Sequence, residues 1–391
     1  MPGRLVILED LEARRLLSSF TPAQIETAYG FNQITFDGGS VQGNGAGQTI
    51  ALIEVDNDLT LTQDLTNFDT AYGLNDPGNG WSLSVVGQSG GAPPATAATS
   101  DNLLETALDV EWAHAIAPAA NIVVVEANRD VDKSLDAAVN YATSLSAVSV
   151  VSISYVRDED NSVDLAENSV FTTPANHQGI TFVAASGDGG TVTYPSASPN
   201  VVAVGGTSLV LNADNTYNSE SSWNDSYGLT GGGTSYDETE PAYQMGVQNT
   251  GFRTTPDVAY DADPATGFNI YVNGGTSPVV VAGTSAGAPQ WAALFAIADQ
   301  GRALDGLGTL DGPSQTLPML YDLVGTPLYN QAFNDVTVGY DAGPGYDEAT
   351  GLGSPRANVL VPYLVPEPAT LTMALLAGTA FLKRPRRRAT S

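Results

Sequence analysis

The chain has 391 residues, enough for one large α/β domain or two smaller ones. Its 43 acidic residues outnumber the 14 basic ones, and the formal net charge of -29 would repel a phosphate backbone, which argues against nucleic acid as a partner. Cysteine is absent, which excludes disulfides, thiolate metal sites and a cysteine nucleophile. The acidity fits a soluble extracellular surface. A more specific interpretation is that the protein tolerates low pH, because protonation of its carboxylates removes the repulsion between them.

The N-terminal segment, residues 1–19, lacks the apolar region of a secretory signal peptide. Residues 11–18 read Leu-Glu-Ala-Arg-Arg-Leu-Leu-Ser, which resembles a Leu-Glu-x-Arg-x-Leu-Leu-Ser element at the N-termini of some bacterial exported proteins. The resemblance implies an export or targeting segment. An ordinary amphipathic helix is the alternative that the residues leave open.

Between residues 20 and 364, apolar strands alternate with helical segments. The predicted strands are Thr49–Val55, Trp81–Val86, Ile122–Val125, Val148–Ile153, Thr181–Ala185 and Val201–Val204, and the predicted helices are Thr62–Tyr72, Asn102–Ile116, Ser134–Thr143, Val170–His177 and Pro289–Asp299. Strands that are apolar on both faces and separated by helices predict one α/β domain with a mainly parallel sheet covered on both sides. Sites in such sheets gather at the carboxyl ends of the strands.

A candidate nucleophile lies at the entrance of the last predicted helix. Residues 283–289 read Gly-Thr-Ser-Ala-Gly-Ala-Pro, so Ser285 is flanked by glycines and its hydroxyl can be exposed. Backbone N–H groups at a helix start can stabilise negative charge. An N-capping serine in a tight turn is the structural alternative. The extended pattern resembles the Gly-Thr-Ser-x-x-x-Pro motif shared by subtilisins and sedolisins.

A serine nucleophile needs a base, and the candidates are carboxylates. The two histidines, His114 and His177, lack the glycine-rich context of a subtilisin histidine and are interpreted as structural. Glu105 and Asp109 are four residues apart, so a helix would place both on one face, where they repel unless they share a proton. Asp188 follows a predicted strand between glycines. Each acid read alone is an ordinary surface or turn residue.

The order of these pieces resembles the sedolisin, or serine-carboxyl peptidase, family. Further matching segments are residues 108–111 with 117–118, 152–155, 194–197, 222–224, 231–233, 256–259 and 263–264. The resemblance covers nearly all of residues 21–362 and implies a subtilisin-like three-layer sandwich. It implies that Glu105 takes the proton of Ser285, that Asp109 orients Glu105, and that protonated Asp188 donates to the oxyanion. We therefore expect hydrolysis of protein or peptide substrates with an acidic optimum.

A glycine-rich acidic loop near the end of the domain suits a hard cation with oxygen ligands. The resemblance implies one structural Ca²⁺ held by the carboxylates of Asp335 and Asp347 and by the carbonyls of Val336, Gly343 and Gly345. The connection between Val336 and Gly343 is shorter than is usual in that family. A plain turn-rich loop is the alternative.

The C-terminal tail, residues 365–391, combines Pro-Glu-Pro, an uncharged run over residues 369–382 and a basic cluster over residues 383–388. This order resembles the PEP-CTERM sorting signal of exported bacterial proteins, and the basic end is expected to stay cytoplasmic. The resemblance implies removal by an exosortase-like enzyme, membrane contact only through this tail before processing, and an extracellular or cell-envelope location. A core or amphipathic helix is the alternative. We expect the mature protein to be a monomer.

Two other functions compete with an acid-acting endopeptidase. One is an inactive cell-surface binding or structural protein on a peptidase scaffold, and the other is a lipase or esterase, for which the Gly-x-Ser-x-Gly motif is missing. Sedolisins usually carry a long N-terminal pro-domain, whereas only residues 1–20 precede Thr21. The residues leave three alternatives open: the protein is activated in another way, a separate partner takes the place of the pro-domain, or the chain is not proteolytic.

Overall fold

The structure is a computed structural model that describes residues 19–160 and 164–365. The predicted targeting element at residues 11–18 and the Pro-Glu-Pro, apolar and basic parts of the predicted tail lie outside the described residues. Eight strands form the central sheet: β1 Thr49–Val55, β2 Leu83–Gly87, β3 Asn121–Ala127, β4 Val150–Ile153, β5 Thr181–Ala185, β6 Val201–Leu211, β7 Tyr217–Ser222 and β8 Val258–Asp261.

Helices of eight residues or more in the described ranges are α1 Pro22–Tyr29, α2 Leu61–Tyr72, α3 Ser100–Ile116, α4 Asp132–Ser144, α5 Gly287–Leu304 and α6 Ala357–Leu364. Shorter α-helical turns are Asp164–Glu167, Leu317–Tyr321 and Tyr329–Ala332. Short strand pairs are Thr35–Phe36 with Val41–Gln42, Arg157–Asp158 with Thr193–Tyr194, Gly233–Thr239 with Phe252–Thr255, Phe268–Ile270 with Val279–Val281, and Phe333–Asn334 with Ser354–Pro355.

The strand order across the sheet is β7-β6-β5-β4-β1-β3-β2, and β8 also pairs with β6. Every pairing in this sheet is parallel except that of β6 with β7. The carboxyl ends of β1, β4 and β5 therefore lie along one edge, where the following loops can share a site. The predicted α/β fold with a mainly parallel sheet is confirmed.

Successive residues of each strand point to opposite faces of the sheet. In β1, Ile50 and Leu52 join the hydrophobic cluster that contains residues of α3 and α5. Ala51 and Ile53 join a second cluster, which α4 covers. The sheet is thus the middle of three layers, and its strands are apolar on both faces because both faces are buried.

One predicted helix, Val170–His177, is wrong. The structure has a 3-10 turn at Asn168–Val170 and no helix after it as far as His177. Thr173 precedes a proline, which disfavours helical backbone, and Asn176 has a positive φ of 66°. Three strands also differ from the prediction: β6 continues to Leu211 because it pairs with β7, and neither β7 nor β8 was predicted.

Within residues 19–160 and 164–365, no helix is both long and apolar enough to cross a bilayer.

Candidate active site

Helix α3 carries the two predicted carboxylates. It begins at Ser100, and the hydroxyl of the preceding Thr99 caps it by accepting a hydrogen bond from the Asn102 N–H at 3.3 Å. The helix packs against α2, α5 and the turn that precedes α5. Glu105 is 5% exposed and Asp109 is fully buried. The i, i+4 spacing places both on one face, as predicted, but that face points into the protein rather than to solvent.

Ser285 lies in the 3-10 turn Thr284–Ala286, directly before α5, and is 3% exposed. Gly283 ahead of it has φ 121°, a conformation that residues with a side chain rarely adopt. A Cβ at this position would lie 2.6 Å from Oδ2 of Asp188. The glycine is therefore required both by backbone conformation and by the close approach of Asp188.

The Ser285 side chain approaches the Glu105 carboxyl group closely enough to lower its pKa. Among the described residues, Glu105 Oε1 has no hydrogen-bond partner at ordinary geometry, so the approach is looser than a formed bond. Catalytic hydrogen bonds are often long without substrate and tighten around it. Burial, followed by repulsion from Asp109, raises the pKa of Glu105 well above its usual range. The pair has the arrangement of a nucleophile and its base.

Asp109 is held by groups from two strand ends. The Ser154 hydroxyl, just after β4, donates to Asp109 Oδ2 at 2.8 Å. Glu54, near the end of β1, lies close enough to Asp109 for the two carboxyl groups to shift each other's pKa, and the Thr106 hydroxyl donates to Glu54 Oε2 at 3.3 Å. Burial, then repulsion from Asp109 and Glu105, raises the pKa of Glu54 well above its usual range. The raised pKa favours the protonated form of Glu54, which carries an O–H that the Asp109 carboxylate can accept.

Burial raises the pKa of Asp109 to about 7, although the Ser154 hydroxyl and the nearby Glu54 carboxyl act to lower it. The three carboxyl groups of Glu54, Asp109 and Glu105 thus hold protons to higher pH than isolated acids do. Because they interact strongly, their protons are lost in steps that belong to the group as a whole.

Asp188 is anchored on the residue beside the nucleophile. Its Oδ1 accepts hydrogen bonds from the Thr284 backbone N–H and from the Thr284 hydroxyl, each at 2.8 Å. The same hydroxyl also lies 3.0 Å from the Gly187 N–H, which donates to it. Burial raises the pKa of Asp188 to about 6, against the lowering effect of the Thr284 bonds. Among the described residues nothing donates to Oδ2, so this oxygen is available to a ligand.

The structure thus brings Ser285, Glu105, Asp109 and Asp188 together. Sequence reasoning missed Glu54, Ser154 and Thr284. Glu54 had a signal, because it is the one acid in a strand that is otherwise apolar on both faces. Ser154 and Thr284 had none of their own, since only the packing of separate elements gives them their partners.

The two histidines make structural contacts. His114 is fully buried, stacks on Trp81 with ring centroids 4.1 Å apart, and lies 3.3 Å from a carboxylate oxygen of Asp69. The ring nitrogens of His177 lie 2.8 Å and 2.9 Å from the carbonyl oxygens of Gln178 and Leu145. These contacts agree with the structural interpretation of both residues.

The predicted calcium loop has a donor set suited to Ca²⁺. The Gly345 N–H donates to both carboxylate oxygens of Asp335, at 3.0 and 3.1 Å, and the Gly343 N–H donates to Asp347 Oδ2 at 2.9 Å. The carbonyl oxygens of Val336, Gly343 and Gly345 accept no hydrogen bond from described residues. Free carbonyls beside two carboxylates fit a hard cation with oxygen ligands.

A second acidic cluster, of Glu159, Asp164 and Asp237, has oxygen atoms within 4.8 Å of one another. Arg157 is paired with Asp164 at 2.6 Å, and the Ser235 hydroxyl bonds to Glu159. Such pairing accounts for the cluster without a metal ion.

Comparisons with known proteins show that the chain is similar to subtilisin-like and serine-carboxyl peptidases. The chain matches the model of the Subtilase family, peptidase S8, over residues 89–307. It is 34% identical over 385 residues to kumamolisin from Bacillus sp. (strain MN-32), covering 89% of this chain and 64% of that protein. It is 34% identical over 215 residues to sedolisin from Pseudomonas sp. (strain 101), covering 48% of this chain and 35% of that protein.

Two solved structures are similar to the fold. Pseudomonas sedolisin, a serine-carboxyl proteinase complexed with two molecules of pseudo-iodotyrostatin, gives a TM-score of 0.74 at 28% identity, covering 89% of this chain and 98% of that chain. Sphericase gives a TM-score of 0.53 at 18% identity, covering 85% and 97%, and this likeness shows the fold alone.

The topology defines an α/β protein of the sedolisin and subtilisin-like fold. The chain belongs to the Subtilase family, because the family model matches more than half of its length. The chain spans 64% and 35% of the lengths of the two curated relatives, kumamolisin and sedolisin.

Proposed function

We propose that the chain is a serine-carboxyl endopeptidase of the sedolisin type, which hydrolyses peptide bonds in proteins at acidic pH. The observation that carries the proposal is the proximity of Ser285 and Glu105: helix α3 packs against the turn that holds Ser285, and the Ser285 side chain lowers the pKa of the Glu105 carboxyl. Asp109 behind Glu105 and Asp188 on the other side of Ser285 complete the arrangement. The likeness to kumamolisin and to sedolisin supports this reaction class.

In the acylation step, the Ser285 oxygen attacks the carbonyl carbon of the peptide while Glu105 takes the hydroxyl proton. The negative charge that develops on the carbonyl oxygen accepts a hydrogen bond from protonated Asp188, whose Oδ2 is unengaged. One such donor contributes about 10²–10³ in rate. Glu105 then passes its proton to the leaving amine as the C–N bond breaks, leaving an acyl ester on Ser285.

In the deacylation step, Glu105 takes a proton from water, and the resulting hydroxide attacks the ester carbonyl. Asp188 stabilises the second oxyanion in the same way, and the proton returns from Glu105 to Ser285 as the acid product leaves. Asp109, held by Ser154 and protonated Glu54, fixes the orientation of Glu105 and shares its proton.

The pH dependence follows from the opposite requirements of Asp188 and Glu105. Asp188 donates only when it is protonated, and with a pKa of about 6 this form is lost as the pH rises through 6. Glu105 acts as a base only when it is ionised, so activity also falls at low pH. The rate should therefore pass through a maximum on the acidic side.

We propose that one Ca²⁺ binds the loop formed by Asp335 and Asp347 with the carbonyls of Val336, Gly343 and Gly345. Bound there, the ion would tie the two halves of the loop together and stabilise the folded state by mass action. The loop packs against the segment around Asp257, since the Leu352 N–H donates to the Asp257 carbonyl at 2.8 Å. No step of peptide hydrolysis involves the ion.

We also propose that this is an exported bacterial protein with a domain over residues 20–364, a tail over residues 365–391 that an exosortase-like enzyme cuts, and a monomeric mature form. Mass spectrometry of the protein recovered from a host that encodes such an enzyme tests the tail. A mature mass lacking the basic cluster supports processing, and an intact C-terminus in every fraction contradicts it.

Hydrolysis of casein or labelled peptides from about pH 3 to 8 tests the peptidase assignment, with Ser285→Ala beside the parent. The parent should cleave at acidic pH and the variant should not. Equal activity in both would end the assignment. No activity in either, together with an unchanged fold by circular dichroism, would favour the inactive scaffold.

A further inference from the structure

A cavity of about 250 Å³ lies between the end of β4, the start of α4 and the segment around Tyr194. Its apolar walls include Leu135 and Val139 of α4 and the ring of Phe171. Pockets for drug-sized ligands are about 300–1,000 Å³. This cavity is smaller and fits one long side chain.

The cavity adjoins the active site. Tyr155 lines it and directly follows Ser154, whose hydroxyl bonds to Asp109 at 2.8 Å. Val156 also lines it, and a Cβ placed on Gly187 would lie 3.5 Å from Val156 Cγ2. Gly187 is the neighbour of Asp188, so one end of the cavity lies beside the residues proposed to act on the scissile bond.

The charge of the cavity is unbalanced. Arg157 is paired with Asp132, Asp164 and Glu167 at 2.6–2.9 Å and stacks on the ring of Tyr194. The guanidinium of Arg157 is therefore already paired with three carboxylates.

Two further carboxyl groups line the cavity without an ion-pair partner among the described residues: Asp130, exposed at the rim, and Asp136, partly buried in the wall. Arg129 and Lys133 on the same segment are exposed and form no ion pair with described residues. Counting all of these groups, five carboxyl groups stand against three cations. Four of the carboxyl groups, those of Asp130, Asp132, Asp136 and Glu167, line the cavity, whereas Arg157 is the one cation among the described lining residues.

The Tyr155 hydroxyl provides an independent observation. Tyr155 is 4% exposed, lines the cavity, and its hydroxyl has no hydrogen-bond partner among the described residues. A buried hydroxyl without a partner costs about 1–3 kcal/mol. Burial, followed by repulsion from Glu54, Glu105 and Asp109, raises the pKa of this hydroxyl, so the cavity wall adjoins the active-site acids.

Resting on the proposed peptidase function, we infer that this cavity is a substrate subsite for a long cationic side chain, arginine or lysine. The methylene stem would pack on Leu135, Val139 and Phe171, and the cationic end would lie between Asp130 and Asp136. Long cationic side chains combine these two properties, an apolar stem and a charged end. Opposite charges across an interface chiefly set specificity, which makes the subsite a selector of substrates.

Matched peptides that carry arginine or citrulline at one position test the inference, because citrulline has the same shape without the charge. A series of such peptide pairs places the arginine or citrulline at each position in turn, from the fourth residue before the cleaved bond to the second residue after it. At one position arginine should exceed citrulline about tenfold in kcat/KM, which corresponds to ~1.4 kcal/mol. The double variant Asp130→Asn/Asp136→Asn should bring that ratio within about twofold, whereas exposed Asp305→Asn should leave it unchanged.

The ratio should also depend on pH. Burial, then repulsion from Glu167 and Asp132, raises the pKa of Asp136 to about 6, while Arg157 acts to lower it. The preference for arginine should therefore grow as the pH rises from about 5 to 7, although the rate with either peptide falls. Selection by shape alone would give a ratio that does not change with pH.

Binding to Ser285→Ala, measured by fluorescence anisotropy with the same labelled peptides, separates failure of the inference from failure of the proposed function. Cleavage by the parent with equal rates for arginine and citrulline at every position overturns the subsite and leaves the peptidase assignment standing. A preference that survives the double variant overturns it too. Absence of cleavage by the parent ends the peptidase assignment. If binding to Ser285→Ala still favours arginine and the double variant abolishes that preference, the cation site is supported without the peptidase function. If the parent does not cleave and binding does not favour arginine, the peptidase assignment and the cation site are both overturned.

Discussion

Replacing Asp188 by asparagine separates the shape of this side chain from its titration. Oδ1 of Asp188 accepts hydrogen bonds from the Thr284 N–H and hydroxyl, each at 2.8 Å. The carbonyl oxygen of an asparagine can keep both bonds, which places its amide N–H₂ where Oδ2 lies. The variant therefore keeps a hydrogen-bond donor for the oxyanion at every pH and loses the proton equilibrium of the carboxyl group.

The magnitude follows from the pKa of Asp188, which burial raises to about 6. About nine-tenths of these carboxyl groups are protonated one pH unit below that value. Near this pH, Asp188→Asn should retain activity within about tenfold of the parent, whereas Asp188→Ala should lose about 10²–10³ in kcat, or ~2.7–4 kcal/mol. Above pH 6 the parent rate should fall about tenfold per pH unit, and the asparagine variant should lack this fall.

The assay is kcat/KM for one peptide from about pH 3 to 8, with exposed Asp305→Asn as the control for loss of a surface charge. If kcat/KM of Asp188→Asn falls above pH 6 at the same pH as that of the parent, the reasoning is refuted, because a group other than Asp188 would then cause the fall. Equal losses in the asparagine and alanine variants would show that the amide does not reach the oxyanion.

Three further outcomes are expected. Glu54→Gln removes a protonated carboxyl beside Asp109 while keeping a donor, so the acid limb of the pH–rate profile should move by less than about one unit and kcat should fall less than with Asp109→Ala. Chelation of Ca²⁺ should lower the Tm of the parent and leave that of Asp347→Asn unchanged in a thermal melt. Folding raises the pKa values of Glu54, Glu105 and Asp109, so their stabilising contribution is present below about pH 4 and is lost as the pH rises towards 7. Urea unfolding should show the parent more stable at the acidic end, and the reverse order would contradict this.

The sequence predicted elements best where local pattern and tertiary environment agree. The strands Thr49–Val55 and Thr181–Ala185 have the predicted bounds because their β-branched and apolar runs coincide with their buried lengths. The helix predicted at Val170–His177 failed because a proline and a left-handed asparagine override its apolar spacing. Strand β6 was predicted too short because its second half is defined by pairing with β7.

The candidate site likewise contains residues that local sequence patterns predict and residues whose role only the tertiary packing shows. Ser285, Glu105, Asp109 and Asp188 could be proposed because each lies in a local pattern that also occurs in a known family. Glu54 was missed although it is the one acid in β1, since a single acid carries no motif and its role depends on the packing of helix α3 against β1. Tertiary packing alone also gives the raised pKa values, because desolvation is the largest cause for each of these carboxyl groups.

The energetics of the three clustered carboxyl groups argue against a purely structural role. Glu54, Asp109 and Glu105 are buried, and no lysine, arginine or histidine among the described residues pairs with them. Burying such groups costs free energy unless they are protonated and hydrogen-bonded, and well-packed apolar side chains in their place would be neutral or stabilising. The proposed proton transfer to and from Ser285 accounts for an arrangement that packing does not, since a base must lie out of water and still exchange its proton. The same reasoning requires that Glu105→Gln leave stability at neutral pH equal or higher while hydrolysis is lost; a variant less stable than the parent would show that the carboxyl group holds the fold together instead.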